Sequence, residues 1–235
     1  MTLAHGPLLP GVFEGREKLV VLAPHPDDES LGCGALLARA FGGAGAHVIC
    51  LTDGSASHPG SARWTPERLA ARRHAEMIAA IECLGGSARD LTWLGMADSR
   101  LYLANKRLVA DALERVIERQ DARHVFVPAA EDHHEDHQAA ARFATEVRIR
   151  RPNWTFYSYP VWCRWDDPDF AQKISRHAPV FRLPGATSRA QKWAAITAHE
   201  SQLGQVVTDD PTGFTLPSGF TEKFVTEDEI FWRMP

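Results

Sequence analysis

The sequence predicts an α/β fold: one domain over residues 1–235, with a mostly parallel sheet lying between two layers of helices. Short runs of continuous apolar character recur through the chain, as expected of strands buried on both faces. Stretches of helical period separate them, giving the β-α-β-α rhythm of a parallel sheet with crossover helices. No internal repeat, low-complexity tract or linker interrupts that rhythm.

Lys18–Ala23 (KLVVLA) is apolar after its first residue and reads as the first strand. Ser30–Phe41 reads as a helix ended by Gly42 and Gly43, and His47–Thr52 (HVICLT) as a second buried strand. Pro66–Leu84 is an amphipathic helix: Thr65 can cap it, Pro66 suits its first position and Gly85 its end. Leu91–Leu94 is a short strand, Asn105–Arg119 a helix, His124–Pro128 (HVFVP) a strand and Asp136–Arg150 a helix. Thr155–Tyr159 and Val180–Leu183 read as strands and Ser188–Gln202 as a helix, while the last thirty residues read mostly as loop.

Composition excludes several classes. Lys and Arg number 26 against 30 Asp and Glu, a net charge of −4, so no basic patch invites nucleic acid. No apolar run approaches the ~20 residues of a membrane helix, and no leader pattern opens the chain. Cys33, Cys50, Cys83 and Cys163 form no Cys-x-x-Cys pair. The expectation is a reduced, cytoplasmic protein without an integral membrane segment.

Ligands of a parallel sheet gather at the carboxyl ends of its strands, and two unusual segments fall there. Pro24-His25-Pro26-Asp27-Asp28-Glu29 follows the first strand. Its three adjacent acids are favoured in part by a helix N-terminus, but beside a histidine they form a burden that a cation relieves. His25 and Asp28 offer zinc a nitrogen and an oxygen, leaving Asp27 as a general base beside the metal. Asp132-His133-His134-Glu135-Asp136-His137 follows the His124–Pro128 strand. One of its histidines would complete the three protein ligands of a catalytic zinc.

Pro24–Gly34 (PHPDDESLGCG) together with His134–His137 (HEDH) resembles the LmbE-like or PIG-L family of N-acetylglucosaminyl deacetylases. That family carries an Ala/Pro-His-Pro-Asp-Asp-Glu motif and a later His-Pro-Asp-His motif. The first is present in full, and Glu135 replaces the proline of the second, a residue that offers no ligand. The resemblance implies a Rossmann-like, LmbE-like deacetylase fold, zinc ligands His25, Asp28 and His137, and Asp27 as general base. It also implies a protonated His134 at the oxyanion, supported by the Asp136 carboxylate. Shorter matches at Arg73–Glu76, Asp98 and His199–Gln202 imply Arg73, Asp98 and His199 as substrate contacts.

The implied reaction is removal of an acetyl or other N-acyl group from an amino-sugar conjugate, giving acetate and a free amine. A longer acyl chain or a non-sugar amide is the alternative substrate. Residue types do not separate zinc from iron(II) or another divalent metal, and a homo-oligomer is compatible with the sequence. Asp27 and His134 argue against a silent metal- or sugar-binding protein, since binding alone requires neither. Gly32-Cys33-Gly34 with Asp53 resembles a dinucleotide fingerprint, but Leu37 stands at its third glycine and the acids would repel a pyrophosphate. The aromatic stretch Trp154–Trp165 reads as core and pocket-wall packing, with stacking on a sugar ring as the alternative. His5, His47, His58, His124 and His177 read as structural or surface residues.

Overall fold

Seven strands form a single sheet in the computed structural model, which describes residues 11–234; His5 lies outside them. The strands are β1 (Leu19–Ala23), β2 (Ala46–Thr52), β3 (Leu91–Met96), β4 (His124–Pro128), β5 (Thr155–Tyr159), β6 (Val180–Leu183) and β7 (Glu229–Arg233). Their order is β3-β2-β1-β4-β5-β7-β6. The first five strands pair in parallel, whereas β7 runs antiparallel to both β5 and β6.

Side-chain alternation along the strands builds two cores. Leu19, Val21 and Ala23 of β1 face one, with helices α1 (Asp28–Phe41) and α2 (Pro66–Cys83). Val20 and Leu22 face the other, with α3 (Lys106–Arg119) and α4 (Glu135–Arg150). The short helices α5 (Trp162–Asp166) and α6 (Phe170–Ile174) follow β5. Later come α7 (Arg189–Thr197) and α8 (Phe220–Thr226), which join the α1 side. The structure is thus the three-layer α/β arrangement the sequence predicts.

Local chemistry explains the boundaries. Asn105 caps α3 by accepting the Arg107 and Leu108 N–H groups at 3.0 and 3.3 Å, and Thr65 caps α2 through the Arg68 N–H. The first helix starts at Asp28, two residues before its predicted start. Asp27 at φ 143° turns the chain at once, and its carbonyl accepts the Ser30 and Leu31 N–H groups. Gly32 lies where an added Cβ would stand 2.2 Å from the Tyr159 ring. This glycine therefore serves helix–strand packing.

One prediction for the C-terminal part is corrected and one is refined. The Ser188–Gln202 helix breaks after Thr197, and a 3₁₀ turn resumes at Glu200. That break drives the His199 ring inward to Glu29. The last thirty residues are mostly loop, as expected, but they also hold α8 and β7; β7 sits between β5 and β6, with its first four residues buried. All four cysteines are unpaired, and no helix of the described residues is long and apolar enough to cross a membrane.

Candidate active site

Between β1 and β4 the connections diverge: β1 leads through α1 to β2 on one side, while β4 lies on its other side. Such a switch opens a crevice at the strands' carboxyl ends. The loops after β1 and β4 meet there, so the two acid- and histidine-rich segments share one crevice. Its cleft has a volume of about 610 Å³ and is lined by the polar residues His25, Asp27, Asp28, Asp98 and His134. Leu31, Pro59, Trp162, Phe214 and Leu216 are the apolar part of the same lining.

His25, Asp28 and His137 bring one donor atom each to within 4.8 Å of one another. Asp28 Oδ2 stands 3.2 Å from His25 Nδ1 and 3.3 Å from His137 Nε2. His137 is fully buried; its Nδ1–H donates to Asp132 at 2.8 Å, while its Nε2 has no hydrogen-bond partner among the described residues. A buried ring nitrogen without a hydrogen-bond partner, on a ring oriented by a carboxylate behind it, is the arrangement of a metal-binding histidine. The three donors therefore fit a divalent cation of the zinc type. A second set, His25, His134 and Asp136, is equally close. There the Asp136 carboxylate is already engaged by the Ser99 and Leu101 N–H groups at 2.8 and 2.9 Å, so the first set is the better cradle.

Charge follows the same geometry. Burial acts to lower His25 and His137, yet the carboxylates around them win: His25 lies well above its ordinary value and His137 is raised to about 9. Burial acts to raise Asp28, but His137 and His25 hold it well below the usual carboxylate range. This is a site that attracts positive charge. Burial lifts Asp27 to about 6 against the opposing Arg73 guanidinium. Its backbone, at φ 143°, is strained for a residue with a Cβ, by about 1–3 kcal/mol.

Several expected roles are corrected by position. The Asp136 carboxylate meets His25 Nε2 at 3.2 Å and does not support His134. What His134 receives is the Asp136 backbone N–H, accepted by Nδ1 at 3.2 Å. Burial, with the neighbouring His25 and His137, lowers His134 to about 4, so a protonated His134 at neutral pH is not what the structure supports. His199 is fully buried against Glu29 at 3.2 Å and cannot touch a substrate. Arg73 reaches the cleft wall, but its guanidinium is engaged by Gly54 O, Pro26 O and Asp27. It holds the loop. Glu76 pairs with Arg72 and Ser201. Asp98 does line the cleft, accepting the Ala56 N–H at 2.9 Å and standing 3.4 Å from His25.

Of the remaining histidines, His47 bonds Thr92, His124 bonds Glu17 and His177 bonds Glu131. Trp162 lines the cleft, as the pocket-wall reading of its stretch expects. Sequence reasoning did not single out Asp132 or Phe214. Asp132 lay inside a recognised cluster, where residue type alone could not rank its carboxylates; nothing in the sequence around Phe214 marked it.

An α/β sheet carrying a buried nitrogen- and oxygen-donor cradle at its switch point defines a protein with a candidate metal-dependent active site. Residues 20–148 match the PIG-L family, described as GlcNAc-PI de-N-acetylase, and the chain belongs to that family. It is 40% identical over 75 residues to a 1D-myo-inositol 2-acetamido-2-deoxy-alpha-D-glucopyranoside deacetylase of Kineococcus radiotolerans. That match covers 30% of this chain and 20% of the relative. An uncharacterized deacetylase of Escherichia coli, YaiS, is 31% identical over 130 residues, covering 53% of this chain and 64% of the relative. The chain thus spans less than two thirds of either curated relative. Among solved structures, the N,N'-diacetylchitobiose deacetylase of Pyrococcus horikoshii superposes with a TM-score of 0.69 at 20% identity, over 97% of this chain and 87% of that one. At that identity the likeness speaks for the fold.

Proposed function

We propose that this protein is a divalent-metal-dependent N-deacetylase, with zinc as the metal. Its substrate is an amino sugar carrying an N-acetyl group, such as an N-acetylglucosamine conjugate, and its products are acetate and a free amine. One observation carries the reading: the buried His137 Nε2, without a hydrogen-bond partner among the described residues, beside Asp28 and His25, with Asp27 lining the adjoining cleft. The family and the deacetylases it is similar to support the same reaction.

His25, Asp28 and His137 would hold the metal. A cation there supplies Lewis acidity to the amide carbonyl and to a water. Asp27 takes the proton of the attacking water, since a carboxyl lifted to about 6 is ionised at neutral pH and still a useful base. His134 works as a neutral ring. Because its Nδ1 accepts the Asp136 N–H, its Nε2 carries the proton and can donate to the oxygen that gains charge. As the carbon–nitrogen bond breaks, Asp27 returns its proton to the leaving nitrogen.

The apolar wall of the cleft supports a second substrate reading, a longer acyl chain or a non-sugar amide. Trp162 and Phe214 meet there edge to face with ring centroids 5.8 Å apart. The test is a mass-spectrometric screen of the metal-loaded protein against N-acetyl and N-hexanoyl glucosamine derivatives and against simple N-acyl amines. Loss of acetyl from the N-acetyl sugars is expected, and faster cleavage of the hexanoyl sugars or simple amines would select the second reading. Full metal occupancy with no acyl loss from any of them would sink both.

A further inference from the structure

The reaction as written uses neither Glu29 nor His199, although both are fully buried beside the cleft and each has 0% exposure. Glu29 Oε2 accepts the Asp27 N–H at 3.1 Å. Its other oxygen accepts the Ser30 hydroxyl at 2.6 Å and faces His199 Nε2 at 3.2 Å. Neither residue lines the cleft, so neither can touch a substrate.

We propose that Glu29, backed by His199, is a positioning residue: it clamps the strained Asp27 backbone so that the Asp27 carboxylate meets the attacking water. The inference rests on Asp27 being the base. Its physical basis is the backbone of Asp27, whose φ of 143° and ψ of −26° lie in a region that favours glycine. A non-glycine residue stays there only where its surroundings over-determine it. Here the restraints are explicit. Arg73 Nη2 donates to Pro26 O at 2.8 Å, the Ser30 and Leu31 N–H groups donate to Asp27 O, and Glu29 takes the Asp27 N–H. Glu29 is the acceptor for that N–H among the described residues. Without it the buried N–H is unsatisfied, and rotation of the Pro26–Asp27 peptide toward an ordinary φ relieves both faults at once. That rotation swings the Cα–Cβ bond of Asp27 and carries its carboxylate away.

Flanking elements are anchored independently, which separates positioning from folding. All of β1 is buried in the sheet, Thr52 holds Pro24 O at 2.8 Å, and Leu31, Ala35 and Leu36 fix α1 in the core. His199 has a matching role. The chain leaves helical geometry after Thr197, and the fully buried ring meets Glu29 while its Nδ1 has no partner among the described residues. Among the described residues the ring's one polar contact is thus with Glu29, which it holds in the rotamer that reaches the Asp27 N–H.

The test compares Glu29→Met, which keeps length but loses the acceptor, with Glu29→Gln, which keeps one. Glu29→Met should lower kcat by about 100-fold, the cost of a base displaced by about 1 Å. KM and metal content should stay at parental values. Exchange of the Asp27 amide hydrogen, followed by NMR, should accelerate in the same variant. Glu29→Gln should restore most of the rate and the protection. A parental kcat in Glu29→Met, loss of metal, or a Glu29→Gln as slow as Glu29→Met would each overturn the proposal. Should Glu29→Met not fold, His199→Phe reads the same point: kcat falls with KM and metal retained if the clamp is real, and is unchanged if it is not. Asp27→Asn is run in parallel. If it keeps parental kcat, Asp27 is not the base and the mechanistic reading falls with the clamp. If it is slow while Glu29→Met or His199→Phe keeps parental kcat, the clamp alone is overturned.

Discussion

Asp132 has no exposed surface, yet it governs how the candidate metal site is oriented. Its carboxylate accepts His137 Nδ1–H at 2.8 Å and the Val161 and Cys163 N–H groups at 3.1 and 2.9 Å, so it ties the ring to the loop after β5. Asp132→Asn should weaken metal affinity by about 10–100-fold while the fold persists. A chelator-competition titration that finds parental affinity would remove Asp132 from that role. His134→Ala should instead keep the metal and lose about 10²–10³ in kcat, as for one oxyanion donor; a loss confined to KM would contradict the donor assignment. At this scale the sequence was legible where chemistry is dense. Pro24–Glu29 and Asp132–His137 stand out because buried acids beside histidines require compensation. Partner choice inside a cluster was not legible. Helix α4 begins at Glu135, which turns the Asp136 side chain toward the Ser99 and Leu101 N–H groups and away from His134, and no spacing rule reports that.

Among the elements, β7 is tied to α1 through a single side chain. Glu229 accepts Ala35 N–H at 2.7 Å and Leu36 N–H at 3.0 Å in the middle of the helix, and Lys192 Nζ at 2.6 Å. The carboxylate thus enters the helix's own hydrogen-bond ladder. The sequence hid this strand because a buried charge opens it, and its period was read as loop. Strands rich in β-branched and aromatic residues, such as β4 and β5, were by contrast read with their observed ends. Glu229→Gln leaves the buried Lys192 ammonium without its counter-charge and should cost about 3–5 kcal/mol of unfolding free energy. Adding Lys192→Met removes the stranded charge, so the double variant should be more stable than Glu229→Gln alone. Denaturant melts showing simply additive losses would mean the pair is not coupled.

For the molecule as a whole, the sheet order concentrates Asp27, Asp28, Glu29, Asp98, Asp132 and Asp136 at one edge, each less than 9% exposed. That convergence followed from the β-α-β-α rhythm, since clusters after two adjacent parallel strands must meet. The apolar part of the cleft lining did not follow, because Phe214 and Leu216 come from a stretch with no periodicity. They are pinned by tertiary contacts, including the Phe214 N–H to Ser57 O and Leu216 N–H to Gln202 O bonds and the packing of Phe214 on Trp162. Buried acids of like charge make the folded state favour a bound cation, so metal binding and global stability should be linked. At a free metal concentration a hundred times its Kd, zinc should add about 2.7 kcal/mol. For a chain of this length each kcal/mol moves Tm by about 2–4 °C, so the rise should be about 5–11 °C, reversed by chelator. Protons compete for the same ligands, and the increment should therefore shrink as pH falls. His137→Ala removes one donor and should abolish most of the increment while leaving the metal-free Tm measurable. Differential scanning calorimetry of parent and variant, each with chelator and with zinc, decides the matter: an equal zinc-induced rise in both would place the stabilising cation elsewhere in the molecule.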